Sequence, residues 1–206
     1  ITASEAYHRG ISDVASPETP ETATALRVVE LARAFRRQKA VRAALEQARG
    51  SGLMDAATGL FTRDLFASHV MRLARSSQIR NRPLSVCMLK VSEKADLNAP
   101  RAGGWVARAV PQIGSMIGRL VRAEDTAARL APEVFALALP ATPLHAARSA
   151  GERIAAVIGC TAFEAGQGAT PFVVDFDLGV AEVTSPERVG LALKQAAAMA
   201  QTLKAS

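Results

Sequence analysis

Arg122 and Asp125 stand three residues apart, where a helical apolar pattern ends and an extended one begins. That spacing lets a guanidinium and a carboxylate face one ligand together. An arginine fork can hold a phosphate or another acceptor edge through charge-assisted bonds, and an aspartate accepts from N–H donors. An arginine at a helix exit is also favoured by the negative end of the helix dipole, so an Arg122–Asp125 ion pair closing the helix is the competing structural reading. Nine residues after Arg122 comes Ala131-Pro132-Glu133-Val134-Phe135. Apolar runs at 126–130 and 134–139 flank Ala131-Pro132-Glu133, which predicts a β-hairpin turning at the proline.

The elements that must position these groups can be traced along the chain. From Pro20 to Gly50 no proline or glycine intervenes, and Leu26, Val29, Ala32 and Phe35 draw a helical stripe that continues more weakly through Val41 and Leu45. Arg33, Arg36, Arg37, Lys39 and Arg42 mark its wet side. Such a helix, about 40 Å long at ~1.5 Å per residue, reads either as a connector paired with a second copy or as an amphipathic helix packed on its own domain. A second helix follows Thr62, with Leu65, His69, Val70, Met71 and Leu73 on its apolar side. Lone His69 reads as structural. Residues 83–89 form a continuous apolar run, as expected of a strand covered on both faces. Val106, Val110, Ile113, Ile117 and Leu120 outline a third helix, which Pro111 kinks unless it lies in an early turn. Helix 143–158, strand 172–183 and an alanine-rich helix from Pro186 to Lys204 complete the order.

Composition narrows the class. Apolar content of 49% over 206 residues argues a globular chain with a sizeable core, and aromatics at 4% make that core mostly Ala, Leu and Val. No apolar run approaches the ~20 residues of a membrane span. The chain begins at Ile1 without a signal-peptide pattern, which suggests a start inside a larger protein. Cys87 and Cys160 lie far apart outside any Cys-x-x-Cys pattern and read as core thiols in a reducing, cytoplasmic compartment. Net charge is +6, yet stacking aromatics in a basic groove and a helix-turn-helix pattern are absent, which disfavours nucleic acid.

Several of these segments together resemble the GGDEF (diguanylate cyclase-like) family over residues 52–204. Asp55-Ala56-Ala57-Thr58-Gly59-Leu60 resembles the family's Asp-x-Leu-Thr-Gly-Leu, and Thr62-Arg63-Asp64-Leu65-Phe66 its Asn-Arg-Arg-x-Phe. Arg122-Ala123-Glu124-Asp125 matches the Arg-x-x-Asp inhibitory motif in register with the turn. Glu152-Arg153-Ile154 and Leu178-Gly179-Val180-Ala181 match Glu-Arg-Ile and Ile-Gly-Val-Ala. The resemblance implies an α+β, ferredoxin-like nucleotide-cyclase palm, here at 51–206 behind a 1–50 segment holding the linker helix. Residues 1–19 resemble the end of a receiver domain of a response regulator, with Ser16-Pro17 at its Lys-Pro, or else form a plain linker.

The same resemblance implies a damaged active site. Where the family writes Asp-Ile-Asp for divalent metal, this chain writes Lys90-Val91-Ser92. Asn98 falls on a guanine-contacting Asn, but its partner Asp is Ala107, and Gly-His reads Ala102-Gly103. The turn Gly-Gly-Asp/Glu-Glu is Ala131-Pro132-Glu133-Val134. Glu133 is the surviving metal carboxylate, and Lys90 is expected to face it as a substitute cation. The expectation is therefore no enzyme, no metal and no cofactor. Cyclic di-GMP is expected at Arg122 and Asp125, with Arg153 either assisting, from the same or a neighbouring chain, or serving as a solvated helix cation. Lys204 falls near a phosphate-contacting lysine. The expected partners are a second copy and an unidentified protein, with neither nucleic acid nor membrane. The alternative is a ligand-independent dimerisation or docking scaffold.

Overall fold

The computed structural model describes residues 18–50, 52–166 and 169–202. The receiver-like reading of 1–19 lies almost wholly outside these residues, as does Lys204. The chain divides into two compact units, one ending at Ala48 and the other beginning at Arg49.

The first unit holds all but the last two residues of α1 (Glu21–Gly50). It opens on Pro20, whose carbonyl accepts from the N–H groups of Ala23 and Thr24, both at 3.0 Å. Leu26, Val28, Val29, Leu31 and Phe35 on this helix are all exposed.

The second unit is a four-stranded antiparallel sheet with helices on both faces. Its order in the chain is α2 (Arg63–Arg80), β1 (Leu84–Val91), a 3-10 turn (Ala95–Leu97), α3 (Asn98–Ala102), α4 (Trp105–Leu120), β2 (Thr126–Ala131), β3 (Val134–Pro140), α5 (Leu144–Gly159), β4 (Phe176–Glu182), a second 3-10 turn (Pro186–Arg188) and α6 (Val189–Thr202). The strands lie in the order β2-β3-β1-β4, the ferredoxin-like arrangement expected of the chain.

Alternation along β1 explains its unbroken apolar run. Cys87, Leu89 and Val91 enter a core with Val106, Val110, Ile113 and Ile117 of α4 and Ile154 and Ile158 of α5. Leu84, Val86 and Met88 enter a second core with Phe66 and Val70 of α2 and Ala192, Ala196 and Ala200 of α6. The second core is lined by Ala128, Ala136 and Ala138 of the hairpin, so its helices come close to the sheet. At Gly179 of β4, a Cβ would lie 1.8 Å from the Ala196 carbonyl oxygen. The alanine-rich end of the chain is thus a close-packing surface.

Four expectations are corrected. On α2 the buried stripe is Phe66, Val70 and Ala74, so Leu65, His69 and Leu73 stand at its half-buried margin. The last strand begins at Phe176; Phe172 instead bridges Phe163 in a separate two-residue pairing. Pro111 lies well inside α4, which continues through it. Pro111 offers no N–H to the carbonyl of Ala107, an exposed residue where water can serve. Cys87 is buried, its thiol pushed up to about 12 by burial, but Cys160 is exposed at the end of α5 and is no core thiol.

Candidate functional site

The loop after α4 turns on Asp125. Its carboxylate accepts from the Arg122 main-chain N–H at 2.9 Å, while the Asp125 N–H donates back to the Arg122 carbonyl at 3.1 Å. The contact runs from side chain to main chain and is not the guanidinium–carboxylate pair that competed with a ligand site. The exposed Arg122 side chain is left to line a cleft of about 490 Å³ with Asp125, Arg153, His145, Ser149 and Thr142. Burial raises the Asp125 carboxyl above its usual range, against the lowering effects of the Arg122 N–H and of the Arg122 and Arg153 charges.

Helix α5 supplies one wall. His145, Ser149 and Arg153 recur every four residues and so share one face, with Ala146 and Ala150 between them keeping the floor shallow. The helix starts from a sharp bend in which Ala141 has φ +51° and the Ser85 hydroxyl donates to the buried Thr142 carbonyl at 2.8 Å. Arg122, Asp125 and Arg153 therefore meet in one concavity carrying two guanidiniums and one carboxylate. Sequence reasoning passed over His145 and Ser149. Their four-residue spacing from Arg153 was the available signal.

The hairpin turn forms a second polar cluster. No residue from Ala131 to Val134 has positive φ, and a register shift between Arg129 and Ala131 lets the strands close over Pro132 and Glu133. Arg129 ties this turn to the N-terminal loop, donating to the Pro132 carbonyl at 3.0 Å and to the Asp55 carboxylate at 3.2 and 3.3 Å. Asp55 also accepts from the Thr58 hydroxyl and N–H, at 2.7 and 2.9 Å. Burial pushes its pKa up, but the Thr58 hydrogen bonds and the Arg129 charge outweigh it, and the net pKa is lowered.

The expected Lys90–Glu133 pair is not formed. Lys90 has the strand parity of Leu84, Val86 and Met88, which faces the α2 and α6 side of the sheet, and its ammonium pairs with Glu93 at 2.8 Å. Glu133 is instead held by Arg101 of α3, with Nη2 2.7 Å from Oε2 and Nε 3.0 and 3.2 Å from Oε2 and Oε1. The same Nη2 donates to the Ser92 carbonyl at 2.8 Å. Arg101 went unremarked in the sequence, although it is the only charged residue between Asp96 and Arg108.

The divalent metal implied by the resemblance does not fit these residues. Arg101 takes the Glu133 oxygens, Lys90 stands where the resemblance calls for a carboxylate ligand, and no group of three or more His, Cys, Asp or Glu among the described residues is arranged to hold a metal ion. Of the remaining positions, Asn98 and Ala107 are exposed on α3 and α4, Ser92 is buried, and Val134 packs on the second core.

Residues 52–206 match the family described as diguanylate cyclase, GGDEF domain. The chain belongs to the GGDEF family. Solved structures agree on the fold. The diguanylate cyclase SiaD of Pseudomonas aeruginosa, crystallised with its activator SiaC, is 22% identical with a TM-score of 0.67, covering 98% of this chain and 72% of that one. The coiled coil and GGDEF domain of DgcB from Caulobacter crescentus, in complex with c-di-GMP, is 20% identical with a TM-score of 0.63, covering 82% and 90%. The FimX GGDEF domain from Pseudomonas aeruginosa is 16% identical with a TM-score of 0.63, covering 72% and 91%. No curated protein matches the chain. No helix among the described residues is long and apolar enough to cross a membrane.

Proposed function

We propose that this domain is a cytoplasmic cyclic di-GMP effector without cyclase activity, working as a homodimer and relaying ligand binding to a protein partner. The observation that carries the reading is the convergence of Arg122, Asp125 and Arg153 on one cleft. Asp125 can accept from the guanine N1 and N2 donors, and the two arginines can hold the O6/N7 edge or a phosphate. The DgcB structure in complex with c-di-GMP makes the same ligand class reasonable for a domain of this fold. Titration calorimetry with cyclic di-GMP is the test: the wild-type protein binds, Arg122→Ala does not, and cyclic di-AMP, lacking the guanine donors, binds at least tenfold more weakly. A wild-type protein giving no heat at high micromolar ligand would leave the scaffold reading, which the exposed apolar residues of α1 favour.

The non-catalytic half of the proposal needs no cofactor and rests on chemistry at the old active site. Phosphoryl transfer between nucleotides needs metal to stabilise charge, and Lys90, Ser92, Ala107 and Pro132 each replace a group that the family resemblance calls for. GTP with magnesium should therefore yield no cyclic di-GMP above a buffer control. Lys90→Asp alone should not restore turnover, because three defects remain.

A further inference from the structure

The polar cluster at the hairpin turn has the donor set of a cation site, and a side chain of the protein already fills it. The Glu133 carboxylate, the Ser92 carbonyl at 2.8 Å and the Val91 carbonyl at 3.4 Å converge on Nη2 of Arg101. All are oxygens, the class a hard divalent cation requires. Two come from the main chain at the end of β1, fixed because the Val91 and Ser92 N–H groups are bonded to the carbonyls of Glu133 and Asp175 at 3.0 and 2.8 Å. The Arg101 and Glu133 side chains are only 24% and 29% exposed, so neither charge is left to bulk water.

We infer that Arg101 is a resident cation closing a latent divalent-cation cage, so that this chain excludes metal by occupying the site as well as by losing ligands. An arginine suits the task because its charge is permanent and its fork meets a carboxylate through two nitrogens. The inference shares its location with the non-catalytic reading, but the two fail separately. GTP turnover would sink that reading, whereas cage occupancy is measured without nucleotide.

The experiment uses terbium as the probe on the full chain. Trp105, the single tryptophan, packs on Gly103 two residues beyond Arg101 and serves as a local sensitiser of terbium emission. Wild-type protein should give no saturable sensitised emission. Arg101→Met should give saturable emission with at least tenfold tighter uptake, displaced by manganese and lost in Arg101→Met combined with Glu133→Gln. Wild-type uptake equal to that of the variant would overturn the inference, as would a folded Arg101→Met protein that takes up no terbium. If Arg101→Met does not fold, Arg101→Gln, which removes the guanidinium charge while keeping a polar side chain, carries the same expectation. Variants that fold only with a divalent cation present support the cage, and variants that stay unfolded even then overturn it.

Discussion

Asp125 separates a binding residue from a structural one. Burial raises its pKa, so the folded state holds the proton more tightly than the unfolded chain does. The sign follows from linkage: the ionised group opposes folding once pH exceeds its folded pKa, and the penalty vanishes below the unfolded value of ~3.9. Asp125→Asn keeps an oxygen able to accept the Arg122 N–H while removing that charge. At pH 7 its thermal midpoint should equal or exceed that of the wild type, while cyclic di-GMP affinity falls at least tenfold, or ~1.4 kcal/mol. A marked fall in midpoint would make Asp125 a structural residue and weaken the ligand reading. Asp55 has the opposite sign. Its lowered pKa stabilises the fold above ~3.9, and the contribution is lost as pH falls through the folded value. Asp55→Asn should cost about 1–2 kcal/mol at pH 7 in urea unfolding. That difference should shrink toward zero in acid; a gap unchanged by pH would mean the carboxylate charge is not what holds the loop.

At the scale of elements, the contrast between helices lies in how near they come to the sheet. α6 approaches β4 so closely that Gly179 has no room for a methyl group against the Ala196 main chain. Gly179→Ala must push α6 outward, and a loss of about 1–3 kcal/mol is expected from chemical denaturation. A neutral result would mean that α6 shifts freely. This packing was legible in part: the hairpin and the double-sided apolar run of β1 read directly from local pattern. The start of β4 did not, because Phe172 and Val174 are buried apolar residues like those of the strand, though they precede it. Partner choice among charges was legible least. Arg101 and Glu133 are 32 residues apart, and only the sheet register, which turns Lys90 to the other face, decides which cation meets the carboxylate. The Arg122, Asp125 and Arg153 positions could be named from spacing and family resemblance, but their sharing of a cleft with His145 and Ser149 required the α5 bend at Ala141.

For the whole molecule, the question is what α1 contributes. It carries seven Lys and Arg against three Glu, a charge of +4 out of the chain's +6. It also exposes Leu26 at 65%, Val28 at 58% and Phe35 at 67%. The exposed apolar side chains of α1 gain from burial at ~25 cal/mol per Å², and a second copy of the helix packed against it can supply part of that burial. Pairing also brings like charges together, and salt screens that repulsion while leaving apolar burial intact. If α1 is the dimer contact, self-association of the full chain in sedimentation equilibrium should strengthen as salt rises from 50 to about 500 mM. Deletion of residues 1–48 should leave a folded monomer, since the unit beginning at Arg49 contains both cores. That monomer should retain the cyclic di-GMP affinity of the intact chain if Arg122, Asp125 and Arg153 of one copy suffice. A deletion variant that still dimerises would move the contact to the GGDEF domain. One that dissociates and loses ligand would mean instead that Arg153 acts across the dimer, on ligand held by the neighbouring chain.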